Sequence, residues 1–298
     1  MQDVIFDTDM GNDIDDALAL ATLHALQSRG LAQVRAVTLT RLDPASAVFC
    51  DALNRYYGRT SIPVGIGAVG PKPGPSPYLK VGERLPHKWS LARSPEAVAL
   101  IRKTLAESQD GSVALVQVGF FSNLVRLLDR PEDRELVRRK VKFLSVMAGA
   151  FAPIGTNSHF CEYNVTQDIP AAQKLAQAWP TPIVWNGFEI GDALRFPRRA
   201  VERGFGYDPR HPLKEAYEIY CQPKEERPCW DLASVLHAVC PDDGYFSLSP
   251  AGEVTVEPDG FTRFVEKPGG RDRFLKMDAL QQARTLEALA QLATQPPR

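Results

Sequence analysis

VIFDTDMGNDIDDALAL, residues 4–20, joins a short apolar run, Val4-Ile5-Phe6, to an apolar segment of helical period across a turn that carries five aspartates. A strand that feeds directly into a helix opens a β–α unit, and the same alternation continues outward from it. Helices are expected over Asp16 to Ser28, Ala45 to Tyr57 and Pro95 to Glu107, with strands over Val34 to Thr40 and Ile62 to Ile66. Next come a strand over Val113 to Val118, a helix from Asn123, a strand over Val141 to Met147, a helix over Ile169 to Ala178 and a strand over Pro182 to Trp185. Strands separated by helices imply an α/β fold, a mostly parallel open sheet with helices on both faces.

The pattern weakens after Gly187. Residues 195–228 are rich in Pro, Arg and aromatic side chains and read as an irregular excursion within a single domain spanning 1–298. Beyond it a helix is expected near Asp231, then a hairpin from Val254-Thr255-Val256 and Phe264-Val265 around Pro258-Asp259-Gly260, and a terminal helix from Met277. No internal repeat or low-complexity tract interrupts the chain.

Composition narrows the partners. The 298 residues are 44% hydrophobic, enough for one large core, and carry 35 Lys+Arg against 36 Asp+Glu, a formal net charge of −1. That balance gives no general electrostatic reason to expect nucleic acid or an anionic membrane, so a small molecule is the expected partner. Five cysteines without a CxxC pair read as reduced thiols rather than disulfides or structural zinc. With no signal-like leader and no apolar run of membrane-spanning length, a cytoplasmic location is expected.

The chemistry concentrates in the turn. Asp7, Asp9, Asp13, Asp15 and Asp16 repel one another, and in an open parallel sheet they sit at the carboxyl ends of the strands, where ligands bind. A helix N-terminus stabilises one or two anions but not five, so a bound cation accounts for the cluster. All-oxygen donors without nearby His or Cys favour calcium or magnesium over zinc. The residues alone also allow an Asp-rich capping turn with solvated charges. Asp7-Thr8-Asp9 after an apolar strand further fits the DxD of haloacid-dehalogenase-like phosphatases, with Asp7 as a phosphorylated nucleophile.

DTDMGNDIDDALAL resembles the fingerprint of the nucleoside hydrolases, a DxD followed by Gly and then an Asp-Asp pair opening a helix; the spacing here is two residues longer, so Asp13 is extra. Three further segments in family order carry the resemblance across most of the chain. Gly119 to Asn123, GFFSN, is similar to the family's Gly-Pro-Leu-Thr-Asn turn, Cys161-Glu162-Tyr163-Asn164 to its Ala-Glu-Phe-Asn, and Cys229-Trp230-Asp231-Leu232 to the segment whose Asp closes a calcium site. Where relatives usually have an Asn after the second strand, this chain has Thr40-Arg41-Leu42-Asp43.

The resemblance implies a fold related to the Rossmann type and hydrolysis of the N-glycosidic bond of ribonucleosides. It implies Ca2+ held by Asp9, Asp16, Asp231 and the main-chain carbonyl of Ser122, with Asp9 also the general base. Asp15, Asn157, Glu162 and Asn164 would hold the sugar, Trp230 would stack on the base, and Asp7 and Asp13 would lie behind the ligands. The Trp-Asp pair resembles the purine-preferring branch. His159 and, less directly, His87 are candidate leaving-group acids, and Tyr163 a stacking residue. A homodimer or homotetramer is implied by analogy. Two other readings stay open: the Asp7 phosphatase, and a non-catalytic ribose or nucleoside binder on the same scaffold.

Overall fold

The computed structural model describes residues 1–298. Ten strands form one sheet: β1 (Gln2–Thr8), β2 (Ala32–Leu39), β3 (Val64–Ile66), β4 (Val113–Gln117), β5 (Val141–Met147), β6 (Ile183–Asn186), β7 (Ser247–Leu248), β8 (Gly252–Val256), β9 (Thr262–Glu266) and β10 (Asp272–Lys276). Their spatial order is β3-β2-β1-β4-β5-β6-β10-β8-β9, with β7 beside β10. The seven strands from β3 to β10 run parallel, and β7, β8 and β9 add antiparallel pairings at one side.

Central parallel strands are covered on both faces, which is why Val4, Ile5 and Phe6 in β1 and every residue of β4 are buried. The chain winds outward from β1 to β2 and β3 on one side, then returns to lay β4 on the other. This places the reversal of strand order between β1 and β4, where side chains beyond the carboxyl ends surround a crevice. The helix Asp15–Ser28 follows β1 and is buried from Asp15 to Leu26, because it is enclosed by the helices Trp230–Val239 and Ala279–Ala293 as well as the sheet. An enclosed helix is apolar all round, hence the run ALALATLHAL rather than a one-sided stripe.

Local chemistry sets several boundaries. Asp43 accepts from Ala45 N to start the helix Pro44–Tyr56, Asp168 accepts from Ala171 N to start Ile169–Ala178, and Asp278 forms a capping box with Gln281. The expected helix from Asn123 is two, Ser122–Leu127 and Pro131–Lys140, with Pro131 opening the second. Residues 195–228 are more regular than their composition suggests: they contain a π-helical turn, Ala200–Gly204, and the helix Pro212–Tyr220. Pro212 at the first turn and the buried Leu213, Ala216 and Tyr217 give that helix a start and an inward face. All five cysteines are free, and no helix is long and apolar enough to cross a membrane.

Candidate active site

The turn after β1 folds back on itself through its own polar groups. Thr8 Oγ1 accepts from Met10 N at 3.1 Å and donates to Asp16, while Asn12 donates to Asp9 Oδ2 at 2.6 Å. From the next strand Arg41, only 1% exposed, donates to Asn12 Oδ1 at 2.6 Å and to the carbonyl of Gly74. Gly11 turns at φ +116 against the Arg41 side chain. Gly119 sits so close to Asp9 that a Cβ there would lie 2.5 Å from Asp9 N and from Thr40 Oγ1. Far along the chain, the helix Trp230–Val239 brings Asp231 N to 3.1 Å from Asp15 Oδ2, a separation of 216 positions.

The result is a buried group of carboxylates. Oxygens of Asp15, Asp16 and Asp231 lie within 4.8 Å of one another, and Asp9 adjoins them, its charge pressing on Asp16 and Asp231. Burial, followed by mutual repulsion, raises the pKa of Asp15, Asp16 and Asp231 well above the ordinary carboxylate range; burial also raises Asp9. Four such groups out of water and without a paired cation are costly unless a cation enters or protons neutralise them. The donors are all oxygen, which fits a hard divalent ion.

These carboxylates form the floor of a cavity of about 410 Å3, whose walls include Val118, Met147, Glu162 and Asn164. Glu162 caps a short helix, Tyr163–Gln167, accepting from Asn164 N at 2.8 Å, Val165 N at 3.2 Å and Gly149 N at 3.1 Å. Burial raises its pKa to about 7 despite those three bonds. Asn164 Nδ2 donates to the carbonyls of Val118 and Met147, at 3.2 and 3.1 Å, tying this segment to the ends of β4 and β5.

The opposite end is aromatic. Trp230 Nε1 donates to Phe188 O at 2.9 Å and the two rings pack at 5.1 Å between centroids, while Gly191 leaves room for the indole. Tyr220 and Arg227 adjoin Trp230, with Arg227 bound to Asp13 across 214 positions of sequence, while Tyr163, also on the lining, packs near Phe120. The cavity thus has an anionic floor, a polar wall suited to hydroxyl groups and an aromatic mouth.

The profile of the inosine-uridine preferring nucleoside hydrolases matches residues 4–269. The chain belongs to the nucleoside hydrolase family. A curated relative, an uncharacterized protein of Schizosaccharomyces pombe, is 26% identical over 210 residues, 67% of this chain, and the match spans 65% of that relative's length. Among solved structures, a plant nucleoside hydrolase superposes with a TM-score of 0.78 at 21% identity, over 99% of both chains. A purine-preferring ribonucleoside hydrolase from Gardnerella vaginalis gives 0.76 at 17% identity, over 98% of this chain and 99% of that one. An inosine-uridine preferring enzyme from Bacillus anthracis gives 0.74 at 18%, over 98% and 100%. At these identities the superpositions establish a shared nucleoside hydrolase fold.

Within this member of the family, Asp9, Asp13, Asp15, Asp16, Glu162, Tyr163, Asn164, Trp230 and Asp231, all singled out in the sequence, line one cavity. Asp7 lies behind it, fully buried, accepting from Thr38 Oγ1 at 2.6 Å and Asn123 Nδ2 at 2.9 Å. So enclosed, it offers no exposed nucleophile for the phosphatase alternative. Ser122 is buried at the start of its helix and is not on the cavity wall, which Val118 reaches instead. Asn157, His159 and His87 are also off the wall. Asn157 holds His159 N at 2.9 Å, His159 Nε2 meets Asp259 at 2.7 Å while stacking on Phe261, and His87 contacts Leu85 O. The sequence reading missed Asn12, Phe188, Tyr220 and Arg227. Asn12 stood inside the quoted motif, but the other three have no local signal and arrive only by tertiary packing.

Proposed function

We propose that this chain hydrolyses the N-glycosidic bond of ribonucleosides, releasing ribose and free base, with calcium in the carboxylate cluster and purine ribosides favoured. The observation that carries the reading is the meeting of Asp231 with Asp15 and Asp16 in a cavity whose lining also includes Glu162 and Asn164.

Cleavage of an N-riboside develops positive charge near C1′ as the base departs with the bonding electrons. Asp9, Asp15 and Glu162 line the cavity around the sugar and meet that charge with preorganised negative potential. Asp9, kept basic by burial and oriented by Asn12, takes a proton from the attacking water. Asp15, Glu162 and Asn164 hold the ribose hydroxyls so that C1′ faces that water. Asp16 and Asp231, with Asp9, are the residues that hold the cation, which when bound supplies polarisation of water and of the sugar hydroxyls. Trp230 with Phe188 offers a stacking surface to the base, the feature that favours purines. A cytoplasmic role in nucleoside salvage and assembly as a homodimer or homotetramer complete the reading.

The decisive experiment measures free ribose from inosine, guanosine, adenosine, uridine and cytidine, with and without a chelator and with calcium restored. Ribose release from purine ribosides that chelation abolishes and calcium restores is expected. Calcium-dependent nucleoside binding with no ribose at high enzyme concentration would make the chain a binder on a hydrolase scaffold; turnover indifferent to chelation would remove calcium from the mechanism.

A further inference from the structure

We propose that Arg227 reads the nucleobase and selects 6-oxopurine ribosides, inosine and guanosine, over adenosine; this rests on the ribonucleoside reading above and names the substrate within it. Arg227 belongs to the segment 195–228 and reaches the aromatic mouth of the cavity. Its guanidinium carries five N–H donors in a rigid plane. Nε donates to the Asp13 carboxylate at 2.9 and 3.0 Å, Nη2 donates to the same carboxylate, and Nη1 donates to Glu225 Oε1 at 3.3 Å. Three donors are thereby engaged. One N–H on each Nη remains uncommitted, and this pair is the fork offered to a bidentate partner in the proposal.

The plane carrying that fork is fixed. The guanidinium carbon lies 5.3 Å from the Tyr220 ring centroid and 5.6 Å from that of Trp230, so the group is clamped between aromatic faces as well as anchored by Asp13. Tyr78 Oη donates to the Asp13 carbonyl at 2.6 Å, and Tyr220 Oη donates to Asn12 O at 3.3 Å, so anchor and clamp are both tied to the turn after β1.

A planar base beside Trp230 would meet this fork at its edge. The Hoogsteen edge of a 6-oxopurine presents two adjacent acceptors, O6 and N7, the pair that an arginine fork matches bidentately. Adenine presents N7 beside an amino group, which would set one donor against another. On the corresponding edge uracil offers the single carbonyl O4 and cytosine an amino donor. The fork also serves the chemistry: charge that accumulates on O6 and N7 as the base leaves is met by a fixed cation. Other polar groups nearby are already committed, Asn12 to Asp9 and Arg41, and Asn164 Nδ2 to two carbonyls, and no histidine lines the cavity.

The test compares kcat/KM for ribose release from inosine, guanosine, adenosine and uridine in the wild type, Arg227→Met and Arg227→Lys, alongside inhibition by hypoxanthine and by adenine. In the wild type, inosine and guanosine are expected to exceed adenosine by about tenfold or more, the discrimination typical of one bidentate arginine contact, with hypoxanthine the tighter inhibitor. Both variants are expected to bring the inosine-to-adenosine ratio close to unity, since Lys keeps the charge without the fork. A ratio retained in the variants, or a wild type that treats inosine and adenosine alike, overturns the role of Arg227 and leaves the hydrolase reading intact. No ribose from any substrate overturns the hydrolase reading instead, and the relative binding of hypoxanthine and adenine then still decides whether Arg227 reads the base. If neither variant folds, the wild-type preference and the two inhibitors decide between these outcomes.

Discussion

At Gly119 the chain forgoes a side chain so that the segment after β4 can approach Asp9, and the added methyl of Gly119→Ala would meet the Asp9 backbone as well as the buried Thr40 hydroxyl. Asp9 must then shift, and displacements near 1 Å at a reacting group cost on the order of a hundredfold in rate. Gly119→Ala is expected to lose about that much kcat/KM on inosine; a near-wild-type rate would show that the position of Asp9 is not critical. Asp15 and Glu162 support a second expectation. A buried site built to hydrogen-bond a hydroxyl rejects the analogue lacking it by roughly 10⁴-fold, so 2′-deoxyinosine should be turned over that much more slowly than inosine. Comparable kcat/KM values would remove these residues from ribose recognition. Asp9, Asp15 and Asp16 were legible because their crowding is local, whereas Arg227 was not: the partner that explains both it and the extra Asp13 lies across the fold.

Among elements, the short helix capped by Glu162 is sensitive to pH. Without a cation, Glu162 holds its proton up to about pH 7 when folded, against an ordinary value near 4.5, so the native state binds more protons than the unfolded chain between those limits. Stability conferred by a raised carboxyl is therefore present below the unfolded pKa and lost as pH rises through the folded one. Asp9, Asp15, Asp16 and Asp231 shift in the same direction. The buried His24, His211 and His237, lowered by burial, act in the opposite direction up to their ordinary value of 6.5, so the urea midpoint of chelated protein is expected to fall most clearly between about pH 6.5 and about pH 8; a level or rising midpoint there would contradict this electrostatic account. Strongly periodic elements were read well: β5 and the helix Ile169–Ala178 lie where the pattern put them. β10 was missed because DRFLK is mostly polar and gains its place by pairing with β6, and the helix Pro212–Tyr220 was hidden in a composition that resembles a loop.

On the scale of the whole molecule, the carboxylate cluster links the first helix to the helix Trp230–Val239 and so couples distant parts of the core. A cation bound only by the native state adds about 2.7 kcal/mol at a hundred times its Kd, corresponding to a rise in Tm of several degrees for a chain of this size. Calcium titration of chelated protein is expected to raise Tm by that amount, and Asp231→Asn to abolish most of the rise; a Tm indifferent to calcium would remove calcium binding from the reading, and a full rise in Asp231→Asn would place the ion elsewhere. The sheet class could be read from alternating strands and helices, but the order of the strands could not, because nothing local states on which side of β1 the chain will lay β4.

The long separation between Asp15 and Asp231 also has a consequence during synthesis. The aspartate turn leaves the ribosome well ahead of the helix that encloses it, because Asp15 precedes Asp231 by 216 positions. Until that helix emerges, a nascent chain carries this knot of like charge open to water, and the pocket is sealed only when the two segments meet.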